Sequence, residues 1–177
     1  VSIGDRVILG LGGTGGEYWC GRCRYCIAGE PRHCANSVGI IGTFAEYFTV
    51  WAPSLVVLPD SVSDLEAPLA CGGLTAYGAV KKLTQHGIIP GSTVAIVGAA
   101  GGLGHYAVQL AAAFGYRVIA IDVGDDRLAF ATELGAEVAI EANDARQRVA
   151  NEFGGVDAAI VFTANIAGYQ LGFDLLG

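Results

Sequence analysis

The sequence predicts an α/β protein, with a doubly wound parallel sheet in its second half and a β-rich segment before it. Three observations predict this. Strand and helix patterns alternate regularly beyond residue 90. The strand runs there are continuously apolar, as in parallel strands covered on both faces. A glycine-rich turn, 98–104, joins the first of these strands directly to a helix.

In the first half, Asp5-Arg6-Val7-Ile8-Leu9 reads as a strand, followed by a glycine-rich loop from Gly10 to Tyr18. Thr43 to Val50 alternates aromatic, β-branched and polar residues and reads as a strand. Leu55-Val56-Val57-Leu58 is another, stopped by Pro59-Asp60. Ser63 and Glu66 have capping-box spacing and predict a helix through Ala70. A second helix is expected over Leu74 to Leu83.

The texture changes at Gly87-Ile88-Ile89-Pro90-Gly91. Thr93–Val97, Tyr116–Ile121, Val138–Ile140 and Val156–Phe162 are expected strands. Helices are expected over Gly102–Phe114, Asp125–Leu134 (closed by Gly135) and Ala145–Phe153. The chain is expected to end inside a further helix. The order βαβαβαβ implies a parallel doubly wound sheet. We place the domain boundary between residues 85 and 86.

Composition narrows the function. The 177 residues are 53% hydrophobic and 15% charged, which excludes a disordered chain. The mean hydropathy of +0.49 reflects glycine and alanine. No apolar run approaches the ~20 residues that span a bilayer, so no membrane partner is expected. Ten Lys and Arg against seventeen Asp and Glu give a net charge of −7, the wrong sign for a nucleic-acid binder. The start, Val1-Ser2-Ile3-Gly4-Asp5-Arg6, has no signal-peptide pattern, and a cytoplasmic location is expected. The chain lacks methionine altogether, an initiator included, and reads as a piece of a longer protein.

The turn Gly98-Ala99-Ala100-Gly101-Gly102-Leu103-Gly104 sits between strand and helix. A diphosphate needs backbone N–H groups at hydrogen-bond range, and a Cβ would hold it off. The positive end of the helix dipole adds to the attraction. Asp122 closes the next strand about 20 residues further on, where a carboxylate accepts from both ribose hydroxyls of an adenosine. It would repel a 2′-phosphate, so NAD is favoured over NADP. Arg127 can offset that repulsion or reach the ribose. The competing reading is a turn that merely packs helix on strand.

Cys20, Cys23, Cys26 and Cys34 place four thiols in one loop, and Cys71 stands apart. Four thiolates suit a tetrahedral zinc with no open position, hence a structural ion. An iron–sulfur cluster takes the same number of cysteines. Disulfides fit less well, because i,i+3 pairs in a turn close them poorly. His33 can replace a thiol, although it reads better as a solvent-facing loop residue. A lone cysteine such as Cys71 is ordinarily a small buried hydrophobe.

Three segments together resemble the medium-chain, zinc-dependent alcohol dehydrogenases, above all the tetrameric microbial type. They are Gly4-Asp5-Arg6-Val7 with the four-cysteine loop; Leu69-Ala70-Cys71-Gly72-Gly73-Leu74-Thr75-Ala76-Tyr77; and the glycine turn with Ala107–Ala111 and Gly115–Asp122. The resemblance implies a Rossmann-like domain over 86–177, truncated at its C-terminal end. Before it would come part of a GroES-like catalytic domain over 1–85, carrying a structural-zinc lobe. It implies that Cys71 is a ligand of a catalytic zinc and that Thr75 lies beneath the nicotinamide of NAD. By it, Gly98, Gly101, Gly102 and Leu103 approach the diphosphate, Asp122 and Arg127 hold the adenosine ribose, and Thr163 with Ala164 flanks the coenzyme. It gives no role to His86 or His105, which read as structural or exposed. The implied substrate is a small alcohol or aldehyde, and the implied assembly a homo-oligomer, dimer or tetramer. In the family, the other catalytic-zinc ligands, a Cys and a His with a nearby Glu, precede the point where Val1 stands, and two more strands follow Gly177. The loop between Cys34 and Gly42 is shorter than the family's.

Overall fold

The computed structural model describes residues 1–9, 18–39 and 42–177. The expected glycine-rich loop at 10–17 lies outside them. The described residues form two compact units, Val1–Cys71 and Gly72–Gly177.

The first unit carries little regular structure. Strand β1 (Val7–Leu9) pairs antiparallel with β2 (Leu55–Val57). Helix α1 (Arg24–Ile27) is one turn of the cysteine loop, and a 3-10 turn, Pro31–His33, leads to Cys34. Tyr18 and Trp19 meet Trp51 edge-on at ring-centroid distances of 4.6 and 5.2 Å. Arg6 ties the start of β1 to the segment after β2, donating to Asp64 Oδ1 at 2.7 Å and to the Val62 carbonyl at 2.7 Å.

Two expectations fail in this unit. Thr43–Val50 is not a strand. No strand lies beside it among the described residues, and Phe44 and Tyr47 stand exposed. Alternation makes a strand only where a ladder receives it. Asp64–Ala70 is a 3-10 helix rather than an α-helix. Its start is as expected, with the Ser63 N–H donating to Glu66 Oε2 at 2.6 Å. Pro68 inside it has no N–H for an α-helical bond, and the segment tightens.

In the second unit, helix α2 (Gly72–Gln85) extends beyond the expected 74–83 and packs on the helix after the glycine turn. Then follow β3 (Thr93–Val97), α3 (Gly104–Ala113), β4 (Arg117–Asp122), α4 (Asp125–Glu133), β5 (Val138–Glu141), α5 (Ala145–Phe153), β6 (Ala158–Val161) and α6 (Ile166–Asp174). The sheet is parallel throughout, in the order β5-β4-β3-β6. Strands β4 and β5 are added on one side of β3 and β6 on the other, and such a switch in strand order opens a crevice at the strands' carboxyl ends.

Alternation along the strands divides the core. Val94, Ile96, Val118 and Ala120 face one side with Ala76 and Val80 of α2, Ala107, Val108 and Ala111 of α3, and Ala131 of α4. Ala95, Val97, Ile119, Ile121 and Ile140 face the other with Ala145 and Val149 of α5 and Leu175 after α6. Both faces being covered explains why the strands read as unbroken apolar runs. Small residues on α3 let that helix approach the sheet closely.

The chain does not end inside a helix, as the sequence had suggested. Helix α6 closes at Asp174, and Leu176 forms a parallel bridge with Val156 at the foot of β6. Arg117 and Glu137 form a bidentate pair at 3.0 and 2.7 Å that holds the Glu137 carboxyl below its ordinary value. Its stabilisation is present above the ordinary carboxylate range and is lost as pH falls, but both side chains are about half exposed and the effect is small.

Ile96 is fully buried at the centre of β3. Ile96→Ala is expected to lower unfolding free energy by about 2–5 kcal/mol, read as a lower denaturant midpoint at unchanged slope.

Candidate functional site

The glycine turn is built from main chain held in place by the end of β4. Gly98 adopts φ +80°, and a Cβ there would stand 3.3 Å from the Phe162 carbonyl. The Gly98 and Ala99 N–H groups both donate to the Ile121 carbonyl, at 2.8 and 3.2 Å. Gly104 lets α3 close on the turn, since a Cβ there would run into the Gly98 oxygen and stand 2.7 Å from the Ala99 carbonyl. At Gly102 a Cβ would meet nothing within 4 Å, so this part of the turn faces open space. The N–H groups of Gly102 and Leu103 have no acceptor among the described residues.

Asp122 is 5% exposed and fully engaged. Its Oδ2 accepts from the Ala100 N–H at 2.8 Å, and its Oδ1 from the Val123 N–H at 2.9 Å and from Arg127 Nη1 at 3.1 Å. Three donors offset the cost of burying this carboxylate.

A cleft of about 810 Å³ opens at the carboxyl ends of β3, β4 and β6, a volume suited to a small-molecule ligand. Gly98, Gly101, Asp122, Arg127 and Thr163 line it, as does Ala164. The sequence-predicted Gly102 and Leu103 lie on the turn but not in this lining. Thr75 is exposed in the first turn of α2. The start of that helix abuts the turn: a Cβ on Gly72 would stand 3.3 Å from the Gly102 oxygen. The cleft also brings in Asn143, Arg146, Gln170 and Asp174, which the sequence reading did not single out. No motif marks them, because they reach the cleft from α6 and from the loop and first turn at the start of α5.

In the first unit, the sulfur atoms of Cys20, Cys23, Cys26 and Cys34 all lie within 4.8 Å of one another. A zinc ion at ~2.3 Å from each sulfur needs edges of about 3.8 Å. A four-iron cube would hold its ligands farther apart. No disulfide joins them. The Cys20 N–H donates to Cys34 Sγ at 3.3 Å, the Asn36 N–H to Cys34 Sγ at 3.4 Å and the Asn36 amide to Cys20 Sγ at 3.4 Å. Such donors orient and stabilise thiolate ligands. The Asn36 amide, aided by backbone N–H groups, draws Cys20 down to about 6. Backbone hydrogen bonds at Cys26 and Ala35 lower Cys23. Burial, with the Cys23 contact, pushes Cys26 up to about 12. His33 is exposed and outside the cluster. Cys71 is also exposed, so the buried-hydrophobe reading does not hold for it, and it joins no metal-binding group among the described residues.

Comparison with known proteins agrees with both halves. Residues 1–60 match the family model for the alcohol dehydrogenase GroES-like domain, and 102–177 match that for zinc-binding dehydrogenases. An alcohol dehydrogenase of Geobacillus stearothermophilus is 38% identical over 96% of this chain and 50% of its own length. The crystal structure of the alcohol dehydrogenase from Aeropyrum pernix matches with a TM-score of 0.86 at 39% identity, covering 98% of this chain and 52% of that one. A solved NAD-dependent alcohol dehydrogenase matches with a TM-score of 0.81 at 29% identity, covering 98% of this chain and 51% of that one.

The chain belongs to the zinc-dependent medium-chain alcohol dehydrogenases.

It spans about half the length of the alcohol dehydrogenases it matches. No helix among the described residues is long and apolar enough to cross a membrane. Membership of this zinc-binding family agrees with the four-thiol cluster as a single-ion site rather than an iron–sulfur site.

Metal analysis of the purified chain is expected to give roughly one zinc per chain and no colour. Cys23→Ser should lose the ion and lower the melting temperature. Zinc retention should also weaken as pH falls, because the thiols bind metal only when deprotonated. An iron-containing brown protein is the contrary result.

Proposed function

We propose that this chain is the middle portion of an NAD-dependent alcohol dehydrogenase, which oxidises a primary or secondary alcohol to an aldehyde or ketone. The observation that supports it best is the pairing of an open, glycine-built turn with the buried Asp122 at the mouth of one cleft. In this reading Gly98, Gly101, Gly102 and Leu103 approach the diphosphate, and the unpaired N–H groups of Gly102 and Leu103 donate to it. Asp122, already fixed by three donors, accepts from the adenosine ribose and excludes a 2′-phosphate. Arg127 flanks that ribose, Thr163 borders the coenzyme and Thr75 lies under its nicotinamide. When bound, the coenzyme would supply the hydride acceptor for the alcohol.

Cys20, Cys23, Cys26 and Cys34 hold a structural zinc that fixes the lobe. Cys71 is one ligand of a second zinc, which supplies Lewis acidity toward the alcohol oxygen. The domain boundary lies between residues 85 and 86 of this chain, with a GroES-like portion before it and a Rossmann-like portion after. The parent is a homo-oligomer, dimer or tetramer, acting on a small alcohol or aldehyde. The five free cysteines of this chain suit a reducing, cytoplasmic compartment.

One observation favours a narrower reading for these 177 residues alone. Cys71 belongs to no group of three or more metal-ligating side chains among the described residues, and a catalytic zinc needs three protein ligands. The chain by itself therefore binds coenzyme without turnover.

Fluorescence titration tests the coenzyme site. NADH is expected to bind more tightly than NADPH, and Asp122→Asn should weaken NADH by about tenfold and narrow the difference between the two. Tighter binding of NADPH, or no NADH binding, overturns the reading. NADH formation from ethanol by this chain alone would contradict the inactive-fragment reading.

A further inference from the structure

We propose that His105 is a positioning residue for coenzyme binding, holding the Gly101–Gly102 peptide with its N–H turned outward. The inference rests on the coenzyme reading of the glycine turn and adds to it a side chain to which no role had been given. His105 Nδ1 lies 2.9 Å from the Gly101 carbonyl oxygen, and the backbone N–H of the same residue donates to that oxygen at 3.0 Å. A carbonyl oxygen only accepts, so Nδ1 carries the hydrogen. Both lone pairs of the Gly101 oxygen are thus taken by one residue.

The need for a second bond follows from the local sequence. Gly101 and Gly102 are adjacent, and neither has a Cβ to limit rotation about the peptide between them. Rotated by half a turn, that peptide would present its oxygen to the open side, where an anion is repelled. A trans peptide directs C=O and N–H to opposite sides, so fixing the Gly101 oxygen toward α3 aims the Gly102 N–H away from the helix. Space is open at this residue: a Cβ on Gly102 would meet nothing within 4 Å, and its N–H has no acceptor among the described residues. The imidazole is itself held, tilted against Tyr106 at a centroid distance of 3.9 Å and near Phe130 at 6.4 Å.

Two substitutions separate this role from simple packing. His105→Phe keeps a ring against Tyr106 and Phe130 but removes the donor. His105→Asn loses the ring but places an amide N–H near the Nδ1 position. NADH, ADP and adenosine are titrated against each folded variant, with thermal melting as the control for folding. His105→Phe is expected to weaken NADH and ADP by about tenfold while adenosine, which carries no phosphate, changes by less than about twofold. His105→Asn should recover most of the loss. Unchanged ADP affinity in His105→Phe overturns the proposal, as does an equal loss for adenosine or an Asn variant no better than Phe. Failure of the unaltered chain to bind NADH is a separate result that overturns the coenzyme reading itself.

Discussion

The carboxylate of Asp122 joins the parts of the second unit that have to meet. It closes β4, receives the Ala100 N–H from the glycine turn and the Val123 N–H from the next loop, and pairs with Arg127 on α4. Strand, turn and helix are thereby fixed to one buried atom group. The carbonyl of Ile121 beside it takes two more N–H groups from the turn. The position of the turn is therefore set by β4 as much as by β3, which it follows in sequence. A buried carboxylate satisfied only by these donors leaves little freedom for the turn to move without exposing an unpaired charge.

The two units are stabilised by different means. The second has sheet faces covered by helices and a core of fully buried Ile, Val and Ala side chains. Among the described residues of the first, only Cys34 and Ser54 are buried. A short two-stranded ladder with so little interior is marginal in water. The four gathered sulfurs supply what apolar packing there does not, since metal binding free energy adds directly to folding free energy in such lobes.

Much of this was legible beforehand because the relevant forces are local. Val94–Val97 and Val118–Ile121 are apolar on both faces, and helix α5 has the bounds that its pattern predicts. The spacing of Cys20, Cys23, Cys26 and Cys34 is itself the metal-site signal, and Asp122 stands where an acid after the second strand is expected. What the sequence hid depends on distant partners. The run from Thr43 to Val50 has the composition of a strand, yet composition does not supply a neighbour to bond with. Ser63 and Glu66 announce a helix start correctly, while Pro68 decides its type. Asn36 as a donor to Cys20, and His105 as a donor to Gly101, are visible only once the chain is folded, because neither residue type is tied to those tasks.

The crowding at Gly98 and Gly104 has a consequence for how such a chain can diverge. Gly104 excludes even a methyl group, because neighbouring main chain stands in the way and no rotamer change can move it aside, while Gly98 disfavours one through its φ of +80° and main chain 3.3 Å away. Drift at the elbow is therefore confined to hydrogen, whatever small molecule a descendant comes to prefer. Change in preference has to be written in the side chains around the rim, at the ends of β4 and β6, which face a cavity and have room to vary.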